Sequence, residues 1–201
     1  MSTAFELAFT ALIGNEGGYS NNPHDPGGET MWGVTARVAR AQGYTGPMRE
    51  LPLATAQYIA KAEYWDRYQC DAMDARIGFE VFDAAYNGGY PVKWLQLAVG
   101  TKPDGKLGAI TLAALQAADP MTVIARFCAY RLTYYTSLST WSNFGRGWAN
   151  RIAHNLLQGT LLQGSSVQGT SVQGAEFAKP ALTETVLMKP LLQETLLQGA
   201  R

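Results

Sequence analysis

Neither sign of charge is in excess: 16 Lys and Arg meet 16 Asp and Glu over 201 residues, for a formal net charge of zero. No global field therefore draws the chain to nucleic acid or a lipid surface. Cysteine is nearly absent, and its two copies, Cys70 and Cys128, fit no metal-ligand spacing. They read as free, buried thiols of a protein made in a reducing compartment. Histidine is as scarce, with His24 and His154 far apart, so no ligand cluster suggests a metal and no cofactor is expected. Long apolar runs are missing too: none approaches the roughly 20 residues of a membrane span. No basic region precedes Phe5-Glu6-Leu7-Ala8-Phe9, and Glu6 interrupts that apolar stretch, so no signal peptide is expected.

What is present is ample apolar material, 47% of the chain, enough for a sizeable core. Phe5, Ala8, Phe9, Leu12 and Ile13 recur at helical spacing until Gly14, Gly17 and Gly18 break the pattern, which ends a first helix near Glu16. Residues 17–35 are rich in Gly, Asn, Pro and Asp, the chemistry of turns and hairpins, with a short strand expected over Met31 to Thr35. Helical patterns follow at 35–42, 54–68, 75–87, 91–99, 109–117, 120–138 and 144–157. The expected fold is mainly α with a small β-hairpin or loop region near the N-terminus.

Two local features stand apart. Between Pro120 and Asn155 the charged residues are Arg126, Arg131, Arg146 and Arg151, with no Asp or Glu, either a basic face for an anionic surface or a few solvated arginines. From about Leu156 the composition changes to short recurring units such as Leu-Leu-Gln-Gly-Thr and Ser-Val-Gln-Gly-Thr. No helical or strand period fits these units, so residues 156–201 read as a low-complexity, flexible or weakly helical tail.

Glu16 follows Phe5 by eleven positions, which at about 100° per residue returns it to within roughly 20° of the same helical direction. Its carboxyl points with the apolar face, where burial and the negative end of the helix dipole both favour the protonated form. That is the state a general acid needs to donate a proton to a glycosidic oxygen near neutral pH. By position alone, a glutamate at a helix end is also commonly a solvated surface charge.

The string that follows is specific: Glu16-Gly17-Gly18-Tyr19, then Asn22-Pro23-His24-Asp25-Pro26-Gly27-Gly28-Glu29-Thr30, then Trp32-Gly33-Val34-Thr35. It resembles the front motif of the glycoside hydrolase family 108 muramidases. The resemblance continues through Ala62-Glu63-Tyr64-Trp65, Phe82-Asp83-Ala84-Ala85-Tyr86-Asn87-Gly88-Gly89 and Trp94-Leu95-Gln96. It extends to Asp104-Gly105-Lys106-Leu107-Gly108-Ala109-Ile110-Thr111 and Phe144-Gly145-Arg146-Gly147-Trp148-Ala149-Asn150-Arg151, and leaves the tail outside.

The resemblance implies a lysozyme-like catalytic region over 1–77 and a helical peptidoglycan-binding region over 78–155 packed with it. It implies cleavage of the β-1,4 bond between N-acetylmuramic acid and N-acetylglucosamine, with Glu16 as the acid. Asp25 is the candidate second carboxylate, because its gap from Glu16 resembles the acid-to-aspartate gap of phage lysozymes. Asp25 ahead of Pro26-Gly27-Gly28 also suits an Asx-turn, and Glu29 is an alternative carboxylate. Thr30 is the candidate for the threonine that follows in those enzymes, one position early. Tyr19 and Trp32, in the loop beside Glu16, are the aromatics of choice for stacking on sugar, whereas Tyr64, Trp65 and Tyr86 fit the core. Asp83 and Asn87 share a helix face, either bracing the cleft from within or facing solvent, and Asn87 is carried as a substrate contact.

The implied partner is the peptidoglycan glycan strand, with no nucleic acid and no stable membrane insertion. The implied setting is a phage-type endolysin that waits in the host cytoplasm until a holin opens the inner membrane, then acts on the wall in the periplasm. A lytic transglycosylase on the same bond and a non-catalytic wall-binding protein are the alternatives.

Overall fold

A computed structural model describes residues 3–13, 18–21 and 28–161. Thr3 and Glu6 open the first helix as a reciprocal cap: the Thr3 amide donates to Glu6 Oε2 at 2.8 Å and the Glu6 amide to Thr3 Oγ1 at 3.2 Å. Helix α1 (Ala4–Ile13) then seats Phe5 against Trp65 and Phe82, with ring centroids 5.7 and 5.8 Å apart in edge-to-face geometry.

A two-stranded antiparallel sheet follows, β1 (Thr30–Met31) paired with β2 (Val34–Thr35). The expected strand over Met31 to Thr35 is thus a hairpin, because Trp32 and Gly33 both take positive φ and reverse the chain. Thr35 caps α2 (Ala36–Ala41) by accepting from the Val38 amide. A 3-10 turn (Met48–Glu50) leads to α3 (Leu53–Ala60), which continues into a π-helical turn (Lys61–Asp66).

Helix α4 (Ala75–Asn87) is the axis of the molecule: residues 77–87 are all buried, as expected of a helix covered on every side. A Cβ at Gly78 would stand 3.0 Å from the Cys70 carbonyl oxygen and 3.5 Å from Trp65, so this helix accepts glycine where close approach matters more than helix propensity. Around it lie α5 (Pro91–Ala98), α7 (Pro120–Thr136) and α8 (Trp141–Leu161), with α6 (Ala109–Ala117) between α5 and α7 in the chain. Pro91 and Pro120 occupy first-turn positions, where a missing amide proton costs nothing. Trp94, Phe127, Tyr135 and Trp148 form the aromatic core of this half.

The mainly helical architecture with a small N-terminal hairpin is therefore what the structure has. Cys70 and Cys128 are free and buried. Helix α8 starts three residues earlier than its pattern and runs through the first Leu-Leu-Gln-Gly unit, where a Cβ at Gly159 would stand 3.6 Å from Ile124. The remaining tail, 162–201, lies outside the described residues.

Candidate functional site

The hairpin is held from both sides at its turn. Trp32 (φ 53°) and Gly33 (φ 78°) are the two central residues of a two-residue loop, the signature of a type I′ turn. A tryptophan in the left-handed region is an outlier that persists only where its surroundings impose it. Here the Trp32 indole N–H donates to the Leu51 carbonyl at 2.9 Å, and the Trp32 carbonyl accepts from the Tyr86 hydroxyl at 2.9 Å. Gly33 leaves room for that hydroxyl, since a Cβ there would fall 2.7 Å from Tyr86 Cε1. Tyr86 packs in turn at a tilt of 59° against half-buried Tyr64, centroids 4.8 Å apart, so α4 and the π-helical turn together support the hairpin from beneath.

Ser20 extends the hairpin on its other edge, exchanging backbone hydrogen bonds with Thr30 at 2.9 and 2.8 Å. That bridge sets Tyr19 beside Glu29, and the Tyr19 hydroxyl donates to Glu29 Oε1 at 2.8 Å. The hydrogen bond to Glu29, helped by partial burial, raises the phenol above its ordinary value and keeps it a donor. The Arg49 guanidinium lies over the face of the Tyr19 ring, 3.8 Å from its centroid. Half-buried Tyr19 and Trp32, both expected at the sugar, are thus fixed by the same 3-10 turn and its exit, through Arg49 and Leu51.

Glu16, Asp25 and His24 lie outside the described residues. Thr30 is fully buried, and its hydroxyl donates to the Gly28 carbonyl at 3.1 Å. Trp65 and Tyr86 are in the core, as their helical spacing implied. Asp83 and Asn87 are buried as well, which sets aside the solvent-face reading. The Asn87 side-chain amide donates to the Asp83 carbonyl at 2.8 Å and to Asp83 Oδ1 at 3.3 Å.

Asp83 is the centre of a buried charge cluster joining α4 to α7 and α8. Arg131 Nη1 is 2.6 Å from Asp83 Oδ2 and 3.9 Å from Glu80 Oε2, and Arg151 Nη1 donates to Asp83 Oδ1 at 2.7 Å. The arginine stretch is therefore not a single basic face, because Arg131 is wholly buried and it and half-buried Arg151 share one carboxylate. Of the other two, Arg126 donates to the Ala98 carbonyl at 3.2 Å, and Arg146 is exposed. Sequence reading missed Glu80 and this pairing. Its signal was present: Glu80, Asp83 and Asn87 recur at helical spacing in an otherwise apolar helix, opposite a segment whose charged residues are all arginines.

The two carboxyls of the cluster titrate in opposite directions. Burial would raise Asp83, but the guanidiniums of Arg131 and Arg151 outweigh it and hold the carboxyl below its ordinary value. Burial dominates at Glu80 and pushes it from 4.5 to about 7, although Arg131, Asn155 and Cys128 all act to lower it. Glu80 Oε1 has no hydrogen-bond partner among the described residues, which a neutral carboxyl tolerates better than a carboxylate.

A folded state that keeps the Glu80 proton while the unfolded chain has lost it is most favoured at low pH. Stability from this group therefore falls as pH rises from about 4.5 to about 7 and is level above. Asp83 works the other way: its contribution is present above about 3.8 and is lost as pH drops through its depressed value. Denaturant midpoints measured from pH 4.5 to 7 are expected to decline in the parental protein and to lose most of that slope in Glu80→Gln.

A second motif pair proves to be one unit. Gln96 Nε2 donates to Asp104 Oδ1 at 2.8 Å and to the Lys106 carbonyl at 3.1 Å, while its Oε1 accepts from the Gly105 amide at 2.8 Å. The Trp94-Leu95-Gln96 and Asp104-Gly105 blocks are thus the two sides of a turn built around one buried amide, a structural device.

Comparison with known proteins finds two families along the chain. Residues 9–89 match the family described as Glycosyl hydrolase 108, and residues 90–153 match one described as Predicted Peptidoglycan domain. The two matches meet at 89/90, just past the end of α4. The structure of SagA from Brucella abortus superposes with a TM-score of 0.73 at 31% sequence identity, over 81% of this chain and 97% of that one. No curated protein matches the chain.

Proposed function

Because the chain belongs to the glycosyl hydrolase 108 family and its second region matches a peptidoglycan domain, it is a glycosidase of peptidoglycan, and we propose that it is a muramidase with Glu16 as proton donor. The bond cut is the β-1,4 link from N-acetylmuramic acid to N-acetylglucosamine. Glu16 protonates the leaving oxygen while oxocarbenium character develops at the muramic acid, and Asp25 positions water or stabilises that charge.

The observation that carries this reading is the family match over 9–89, which spans Glu16, Asp25 and the hairpin. In the sequence Glu16 falls between helix α1 and Tyr19. Tyr19 and Trp32, both pinned and partly exposed, are the right surfaces to stack on the sugar. Asn87 acts through Asp83, bracing α4 beneath the hairpin rather than touching sugar.

The setting we propose is that of a phage-type endolysin, cytoplasmic until a holin opens the inner membrane, with the wall reached in the periplasm. Among the described residues no helix is long and apolar enough to cross a membrane.

Mass spectrometry of fragments released from purified sacculi, with and without borohydride reduction, tests the reaction. Reducible muramic acid ends are expected. Anhydro-muramic ends would indicate a lytic transglycosylase, reducible glucosamine ends would move the cut to the other glycosidic bond, and no released sugar would leave a wall-binding protein.

A further inference from the structure

We propose that Arg49 is a carboxylate-binding residue that makes the enzyme prefer glycan carrying its stem peptides, through the free carboxylates of those peptides. The proposal rests on the peptidoglycan hydrolase reading and adds to it what the enzyme recognises besides sugar.

The Arg49 side chain is exposed, yet its head is not free to wander. The guanidinium lies 3.8 Å above the Tyr19 ring centroid, and that ring is fixed by its hydroxyl on Glu29 and by the Ser20–Thr30 bridge next to it. With its carbon 3.8 Å from the ring centroid, the guanidinium keeps its N–H donors in its own plane, the fork that takes a carboxylate side-on. Among the described residues Arg49 meets no carboxylate: Glu29 stands at the hydroxyl end of the ring and makes no ion pair with it. A pre-stacked arginine with open donors loses less freedom on binding an anion than a solvated one does.

Its location selects the ligand. Arg49 belongs to the 3-10 turn whose exit residue, Leu51, accepts from the Trp32 indole, so the arginine and the proposed sugar-stacking aromatics share one rim of the hairpin. In intact wall the lactyl group of muramic acid is closed as an amide, so the negative charge nearest the sugar comes from stem-peptide carboxylates. A glycan strand laid along Tyr19 and Trp32 would bring those carboxylates to the side of the hairpin where Arg49 stands.

The test compares native sacculi with the same sacculi whose carboxylates have been converted to methylamides, using the parental protein, Arg49→Gln and Arg49→Lys. The parental protein is expected to prefer native wall by roughly tenfold in kcat/KM, most of it in KM, the size of one charge-assisted pair. Arg49→Gln should erase that preference, and Arg49→Lys should keep part of it. An equal loss on both substrates would mean that Arg49 only supports Tyr19, and an unchanged preference would mean that another group reads the charge; either result overturns the proposal. Cosedimentation of Glu16→Gln protein, with and without Arg49→Gln, on the two kinds of sacculi gives the same comparison without cleavage. A parental protein that releases no sugar would therefore fail the hydrolase reading while binding still decides the role of Arg49.

Discussion

Glu16→Gln protein is expected to release sugar from sacculi at well under a tenth of the parental rate while unfolding at the parental denaturant midpoint. The amide is nearly isosteric with the carboxyl but has no acidic proton to give the leaving oxygen. General acid catalysis contributes about 10²–10⁴-fold, and the loss should fall in kcat rather than in sacculus binding. The arms of α1 and the hairpin that flank position 16 are anchored elsewhere, by Phe5 on Trp65 and Phe82 and by Trp32 on Leu51, so the substitution removes no described packing. Lysis above a tenth of the parental rate would move the proton donor to another residue.

Asp83→Ala should be among the most destabilising single changes in the molecule, at about 3–5 kcal/mol, because it strips a fully buried arginine of its main counter-ion. Arg131 would be left with Glu80 at 3.9 Å, and Glu80 is the carboxyl that burial makes harder to ionise. Arg151, half-buried, can turn to water, so Arg151→Ala should cost much less. Urea unfolding of the two variants checks the order, and equal costs would show that Arg131 finds another partner. Since Asp83 itself raises Glu80, Asp83→Asn should also shift the Glu80-linked stability change to lower pH.

The same cluster bears on how the two family regions relate. Glu80, Asp83 and Asn87 lie in the region matching the glycosidase family, and Arg131, Arg151 and Cys128 lie in the region matching the peptidoglycan domain. Charges taken out of water against each other tie the second region to the helix that carries Tyr86, and through Tyr86 to the turn at Trp32. We read the second region as a structural brace of the hairpin as well as a wall contact.

The sequence by itself determined the helices and the family. The helical periods at 75–87, 91–99 and 109–117 became α4, α5 and α6 with ends moved by at most a residue, because caps and first-turn prolines such as Asp74 and Pro91 are local signals. The family string pointed to a peptidoglycan glycosidase, because the proposed acid, Glu16, and the turn motif after it sit in one continuous stretch. Local sequence missed whatever depends on partners far along the chain. The reversal at Trp32 and Gly33 was read as strand, since a tryptophan with positive φ is imposed by Tyr86 and Leu51 rather than chosen by its own propensity. The arginines of 120–155 looked like a surface because charge is solvated by default, and only the packing of α7 and α8 on α4 turned Arg131 inward onto Asp83. Tertiary structure alone decided which charges are buried and which aromatics are pinned, since burial is a property of what packs against a residue and not of the residue.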